Sequence, residues 1–159
     1  PGPSGNAGHI GHMCVELDGP PCPCGARGCL EVIASGTAIA ARAVREGWQR
    51  PDGAPGEATA AEVAASARAG DRIALASFDL SAKALAAAIA STAALVDIEV
   101  AVIGGGVAKA GELLSGPLRE HLKEYARLSF TRDITVHPAA LGGDAGLIGA
   151  AALVAHAAV

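Results

Sequence analysis

Aromatic residues are scarce in this sequence of 159 residues, which contains one Trp, one Tyr and two Phe. Alanine, by contrast, occurs 38 times, and 51% of all residues are hydrophobic. This hydrophobic content excludes a disordered chain. We therefore expect a core of small and aliphatic side chains on closely packed helices, and the length suits a single globular domain.

Basic residues and long apolar runs are also few. The formal net charge is −4 and Lys and Arg are scattered, so no basic stripe is present to neutralise nucleic-acid phosphates. The longest apolar run, residues 84–96, is interrupted by Ser91 and Thr92 and falls short of the ~20 residues that a membrane span needs. The chain opens on a Gly- and Pro-rich loop with neither an initiator Met nor a signal peptide. These features predict a cytoplasmic fragment of a larger protein that contacts neither membrane nor nucleic acid.

Hydrophobic spacing in the first half predicts one strand and several helices. Residues 11–17 predict a short strand that leads into a knuckle rich in Gly, Pro and Cys. The apolar residues between 30 and 48 recur at helical spacing, which Ser35 and Gly36 interrupt. After a linker-like segment at 49–58, Thr59 and Glu62 form a predicted capping box for a helix that reaches about Arg68.

The second half alternates helices with strands, which predicts the α/β class. Asp71 is expected to cap a long central helix that ends near Val96. Residues 98–103 predict a buried strand before a glycine-rich turn, and 134–136 a further strand. The helical segment from Val107 is expected to restart at Pro117, because proline suits the first position of a helix. A closing helix is predicted at 142–157.

The strongest chemical signal comes from one histidine and three cysteines. The pattern Cys-x-Cys-Gly-x-x-Gly-Cys places the thiolates of Cys22, Cys24 and Cys29 around one point, and His12 completes a tetrahedral zinc site. Four protein ligands leave no position for a bound water, so we expect this zinc to be structural. Disulfides or free thiols are the alternatives. Cys14, two residues from His12 on the predicted strand, is a competing fourth ligand or a buried small residue.

These motifs resemble those of a known family. Gly8-His9-Ile10-Gly11-His12, followed by the cysteine knuckle and Leu30-Glu31, is similar to the signature of the ROK family of bacterial sugar kinases and sugar-responsive repressors. The sequences VIGGGV at 102–107 and LGGDAGLIGAA at 141–151 resemble the adenosine-side motif and the closing helix of that family. The resemblance spans residues 1–159.

The resemblance implies a fold and its organisation. The chain would be the C-terminal half of a two-domain sugar kinase, with an actin-like (ribonuclease-H-like) ATPase fold. It would consist of a zinc knuckle at 12–29, a helical insertion at about 30–70 and a nucleotide-side core at about 71–159. The N-terminal domain, with its phosphate loop and the Asp that acts as general base, is not in this chain, so no catalytic residue is assigned to it.

The resemblance also implies roles for individual residues. His12 would hold zinc through one ring nitrogen and present the other to a sugar hydroxyl, and Glu31 would accept hydrogen bonds from sugar hydroxyls. Without the resemblance, Glu31 would be only a favourable charge at a helix start. Glu31 matches the second acidic sugar contact of the family, whereas the first falls on His9, which is not acidic. Gly104, Gly105 and Gly106 would approach the adenosine of ATP, the alternative being a plain strand-to-helix turn.

Two functions follow from this resemblance. The first is part of an ATP-dependent, glucokinase-like hexose kinase that transfers the γ-phosphate to a hexose or N-acetylhexosamine with Mg²⁺, as a homo-oligomer. The second is the effector-binding domain of a sugar-responsive transcriptional repressor, whose DNA-binding helix-turn-helix would precede this chain. This fragment alone is not expected to catalyse phosphoryl transfer.

Overall fold

The described part of the protein, residues 2–157 of a computed structural model, has six α-helices and one two-stranded sheet. The ends of the predicted domain, residues 1, 158 and 159, lie outside the described residues. The elements in chain order are α1 (Glu31–Ala34), α2 (Gly36–Arg45), α3 (Ala60–Arg68), α4 (Arg72–Val96), β1 (Val100–Ile103), α5 (Glu112–Tyr125), β2 (Thr135–Pro138) and α6 (Ala145–Ala157). Short 3-10 turns occupy Ile10–His12, Val107–Ala110 and Gly142–Asp144.

Helix α4 lies at the centre of the fold, as predicted. It contacts α1, α2, α3 and α5, and it begins where the Asp71 carboxylate accepts a hydrogen bond from the Ala74 N–H at 2.8 Å. By length and composition alone this helix is apolar enough to cross a membrane, but 56% of its most apolar window is buried inside the protein. Phe78 is 1% exposed and forms a core with residues of α2, α3 and α5. The helix is therefore packed as a core helix.

The predicted helix starts in the first half are confirmed. Ser35 separates α1 from α2, and its hydroxyl accepts a hydrogen bond from the Ala38 N–H at 3.2 Å. At α3, Thr59 and Glu62 form the capping box, in which each side chain accepts a hydrogen bond from the backbone N–H of the other residue. Local side-chain capping thus sets where these helices begin.

The two strands pair in parallel, with Val100 opposite Thr135 and Ile103 opposite Pro138. Both carboxyl ends therefore lie at one edge of the sheet. The glycine-rich turn at 104–106 follows β1 at this edge, and residues 139–142 follow β2. Parallel pairing through an intervening helix agrees with the predicted α/β class.

The strand predicted at 11–17 is wrong. Its first residues belong to the 3-10 turn, and beyond them only Cys14 makes an isolated bridge, to Cys29. The Gly28 carbonyl accepts hydrogen bonds from the N–H groups of both Val15 and Glu16, so the pairing stops after a single bridge. The 3-10 turn Ile10–His12 replaces the start of the predicted strand, and it places His12 beside the cysteines of the knuckle.

The restart predicted at Pro117 is also wrong, because α5 begins at Glu112 and continues through this proline. The residue before a proline is normally forced out of the helical region by contact between its Cβ and the proline ring. Here that residue is Gly116, which has no Cβ. The helix loses one backbone hydrogen bond and continues to Tyr125.

Helix α4 ends on a residue with an unfavourable backbone angle, which generates a stability prediction. Asp97 has φ +53°, the left-handed region that glycine occupies without steric cost. We expect Asp97→Gly to raise the free energy of unfolding by about 0.5–1 kcal/mol. Asp71→Ala, which removes the cap at the other end of the same helix, should lower it by about 1 kcal/mol. Denaturant unfolding measures both, and a loss of stability in Asp97→Gly would contradict the argument.

Candidate functional site

The cysteine knuckle is held by a tight backbone turn. The Cys22 N–H donates to the Ala26 carbonyl at 2.8 Å, and the Gly25 N–H donates to the Cys22 carbonyl at 2.9 Å. Gly28 closes the turn at φ +65°, and a Cβ at this position would lie 1.7 Å from the Glu16 carbonyl oxygen. Only glycine fits there, so the second glycine of the Cys-Gly-x-x-Gly-Cys pattern has a steric cause.

The four predicted metal ligands lie together. One donor atom from each of His12, Cys22, Cys24 and Cys29 lies within 4.8 Å of all the others. The Sγ atoms of Cys24 and Cys29 are 3.7 Å apart, and Cys22 Sγ is 3.8 Å from His12 Nδ1. Zn–S bonds of about 2.3 Å in a tetrahedron separate two ligand atoms by about 3.8 Å. The cluster therefore fits a tetrahedral zinc ion.

The thiol acidities differ within the cluster. Burial is the main cause that raises the pKa of Cys29 to about 12, and Cys29 is 0% exposed. The pKa of Cys24 is lowered, chiefly by a backbone hydrogen bond from Ala26. Without a cation a buried Cys29 thiolate beside two other sulfurs is unfavourable, whereas a bound divalent cation stabilises all three thiolates.

Cys14 lies outside this cluster. It is exposed, and its Sγ donates a weak hydrogen bond to the Glu16 carbonyl at 3.6 Å. The group of metal-ligating side chains that the described residues bring together contains His12 and omits Cys14. Of the two candidates for the fourth ligand, the geometry favours His12.

The residues predicted to contact sugar gather around the Ile10–His12 turn. The His9 and His12 rings are stacked, with centroids 6.1 Å apart and planes 19° from parallel. Glu31 is exposed at the start of α1, and a Cβ at Gly11 would lie 3.3 Å from its Oε2 atom. Gly11 thus leaves room for the carboxylate beside the His12 backbone. Sequence reasoning gave Gly11 no such role, although it stands inside the motif at 8–12.

The predicted nucleotide contacts lie at the carboxyl edge of the sheet. Gly104, Gly105 and Gly106 are exposed, and Gly105 has φ +83°. A Cβ at Gly104 would lie 3.3 Å from Ala139 Cβ, so the segments after β1 and β2 approach closely. A groove of about 170 Å³ opens between them, with Lys109 at its rim. Ligands of open parallel sheets bind at this kind of edge.

The two groups of candidate residues are connected through the start of α2. A Cβ at Gly36 would lie 3.5 Å from Val107 Cγ2, so α2 begins against the 3-10 turn that follows the glycines. Arg68 of α3 donates to the Ala110 carbonyl at the end of that turn, at 3.1 Å. Helices α2 and α3 therefore pack against the 3-10 turn that follows the glycines.

A comparison of the chain with protein families matches residues 1–157 to the ROK family. This match agrees with the His and Cys cluster and with the glycine-rich turn after β1. The chain belongs to the ROK family. Among curated ROK relatives, the glucokinase of Thermotoga maritima is 42% identical over 161 residues, covering 96% of this chain and 50% of the relative. An N-acetylmannosamine kinase of Haemophilus influenzae is 39% identical over 150 residues, covering 94% and 46%.

Solved ROK structures share the fold. A glucokinase from Streptomyces griseus in complex with glucose and AMPPNP superposes with a TM-score of 0.81 at 34% identity, covering 92% of this chain and 51% of that one. A ROK transcriptional regulator, a homologue of the Escherichia coli MLC protein, gives a TM-score of 0.72 at 27% identity, covering 84% and 34%. The fold is thus that of the ROK sugar kinases, and the chain spans about half the length of the curated relatives it matches.

The cluster predicts one zinc per chain. We expect protein purified without added metal to contain one equivalent, and Cys24→Ser to lose it because three ligands hold zinc far more weakly than four. Cys14→Ser is the matched control and should keep its zinc. Elemental analysis measures the zinc content. Well under one equivalent of zinc in the parent protein would contradict the site, and loss of zinc in Cys14→Ser would make Cys14 a ligand.

The knuckle backbone generates a separate prediction. Gly28→Ala should prevent closure of the turn, since its Cβ would collide with the Glu16 carbonyl oxygen, and zinc binding should be lost. Gly25 has φ +93° but open space around it, so Gly25→Ala carries the backbone strain without the collision. We expect Gly25→Ala to retain zinc. Equal zinc content in the two variants, measured by a chromogenic chelator, would show that the collision is not decisive.

Proposed function

We propose that this chain is the sugar- and nucleotide-binding C-terminal half of an ATP-dependent hexose kinase of glucokinase type. The observation that carries the proposal is the close approach of Gly36 to Val107, which brings the start of α2, shortly after Glu31 in the chain, against the turn that follows the glycines. Phosphoryl transfer requires the acceptor hydroxyl and the γ-phosphate to meet, so both sites must lie on connected elements. The ROK relatives named glucokinase support this activity for the whole protein.

In this proposal the zinc is structural. His12, Cys22, Cys24 and Cys29 would hold it, leaving no coordination position for water. Binding through His12 Nδ1 leaves Nε2 available for a sugar hydroxyl, and the metal fixes the direction of the ring. Zinc thereby supplies rigidity rather than reactivity.

Sugar recognition is assigned to three side chains at the Ile10–His12 turn. Glu31 accepts hydrogen bonds from sugar hydroxyls, and His12 directs its second nitrogen at another. His9 stands where an acidic contact is expected; a neutral imidazole accepts one hydrogen bond and an imidazolium accepts none. Hexoses and N-acetylhexosamines are the proposed acceptors, supported by the N-acetylmannosamine kinase among the relatives.

The nucleotide half of the proposal rests on the carboxyl edge of the sheet. Gly104, Gly105 and Gly106 would let the adenosine of ATP approach the backbone, with Mg²⁺ accompanying the phosphates. The AMPPNP in the Streptomyces griseus relative supports an adenine nucleotide. We assign the knuckle to 12–29, the helical insertion to about 30–70 and the nucleotide-side core to about 71–159. The catalytic Asp and the phosphate loop would belong to the N-terminal domain, and the whole protein would be a cytoplasmic homo-oligomer.

A repressor effector domain is the second candidate. Two observations favour it: His9 replaces a carboxylate, and a transcriptional regulator shares the fold. The full-length gene product separates the two functions when it is assayed for ATP consumption with a panel of hexoses and N-acetylhexosamines. Sugar-dependent ADP release supports the kinase. Sugar binding without turnover, together with sugar-dependent DNA binding, would support the repressor.

The assigned sugar contact generates a prediction for Glu31→Ala in the full-length protein. A hydrogen bond to a charged group contributes roughly 1.5–3 kcal/mol, and about 1.4 kcal/mol corresponds to one decade. We therefore expect the KM for sugar to rise at least about tenfold, with the KM for ATP unchanged. Glu57→Ala, which removes an exposed carboxylate from the 49–58 loop, is the control. If Glu31→Ala binds every sugar as well as the parent protein does, the assigned site is wrong.

A further inference from the structure

A buried arginine ties α1 and α2 to the central helix. Arg42 of α2 is 8% exposed. Its Nη1 donates to the Ile33 carbonyl at 2.8 Å, its Nε donates to Ser77 Oγ at 3.2 Å, and its Nη2 donates to the Ser77 carbonyl and to Ser81 Oγ. One guanidinium therefore joins the last turn of α1 to two successive turns of α4.

This arginine is buried with no carboxylate of the described residues within ion-pair distance, although the charges of Glu16 and Glu46 act on it from farther away. None of the ion pairs among the described residues includes Arg42, and burial lowers the pKa of its guanidinium. Burying a charge in this way is costly, and an apolar side chain of similar size would avoid the cost. Hydrophobic stabilisation therefore does not explain why an arginine occupies this position. Its directional hydrogen bonds fix the relative positions of the helices, which non-directional apolar contacts do not.

Of the elements that Arg42 joins, α1 depends most on its hydrogen bonds. This helix has four residues, too few to be stable by itself. Its apolar residues Ile33 and Ala34 pack on Ala84 and Ala88 of α4. Apolar packing is non-directional, so it fixes the rotation of α1 less well than hydrogen bonds do. The Ile33 carbonyl accepts hydrogen bonds from both Arg42 and Ser81, which fixes the rotation of α1.

We propose that Arg42 is a positioning residue for sugar binding. By holding the Ile33 carbonyl it sets the rotation of α1, and this rotation keeps the Glu31 carboxylate beside Gly11. Arg42 does not touch the sugar in this arrangement. The inference rests on the proposed sugar contact of Glu31 and adds the element that orients it.

A double-mutant cycle in the full-length protein tests this role. We expect Arg42→Met to raise the KM for sugar about fivefold or more, with zinc content and the KM for ATP unchanged. In the Glu31→Ala background the same substitution should have no further effect, because there is no carboxylate left to orient. Arg42→Lys, which retains one donor for the Ile33 carbonyl, should recover part of the loss. Arg45→Met removes an exposed arginine from the same helix and is the control.

The outcomes separate the two proposals. An unchanged sugar KM in Glu31→Ala contradicts the sugar site and with it the role of Arg42. A raised KM in Glu31→Ala, with equal effects of Arg42→Met in both backgrounds, contradicts the role of Arg42 alone. If Arg42→Met does not fold, Ser81→Ala serves in the same cycle, because it removes one of the two donors to the Ile33 carbonyl and keeps the arginine.

Discussion

Close packing against the small side chains of α4 is the constraint on which the rest of this structure depends. Ala82, Ala86 and Ala88 are 0% exposed, and the helix contacts α1, α2, α3 and α5. Alanine lets neighbouring backbones approach, so the scarcity of aromatic residues is compensated by short distances between helices rather than by large side chains. A bulkier residue at these positions would displace the helices that carry the candidate sugar and nucleotide residues.

Features set by neighbouring residues were predictable from the sequence. The capping box at Thr59 and the cap at Asp71 are side-chain-to-backbone contacts within four residues, and both helices begin where the pattern indicates. The prediction of a strand at 11–17 was wrong because the conformation of this segment depends on residues distant in sequence. The segment must bring His12 to Cys22, and that requirement overrides its β-propensity.

The candidate site likewise combines features that neighbouring residues determine with features that depend on residues distant in sequence. Three of the four cluster ligands lie within eight residues of one another, so their spacing already predicts the geometry. The hydrogen bonds of Arg42 to Ser77 and Ser81 cross 35 and 39 positions, and no local pattern indicates them. The close approach of Gly36 to Val107 joins positions that are farther apart still, 71 residues along the chain. Long-range contacts of this kind assemble the site, and only the folded chain displays them.

A structural metal has a physical reason in this chain. In the segment 18–29 the buried residues are Gly19, Cys22, Gly28 and Cys29, so no aliphatic or aromatic side chain gives the knuckle a hydrophobic core. Its backbone bonds are few and its glycines carry a high conformational entropy in the unfolded chain. The free energy that orders such a segment must come from elsewhere, and the proposed zinc would supply it, because metal binding and local folding are one equilibrium. The same bonds would hold Cys29, two residues before Glu31, so the ion that orders the knuckle would also anchor the start of α1, the helix that carries the proposed sugar contact.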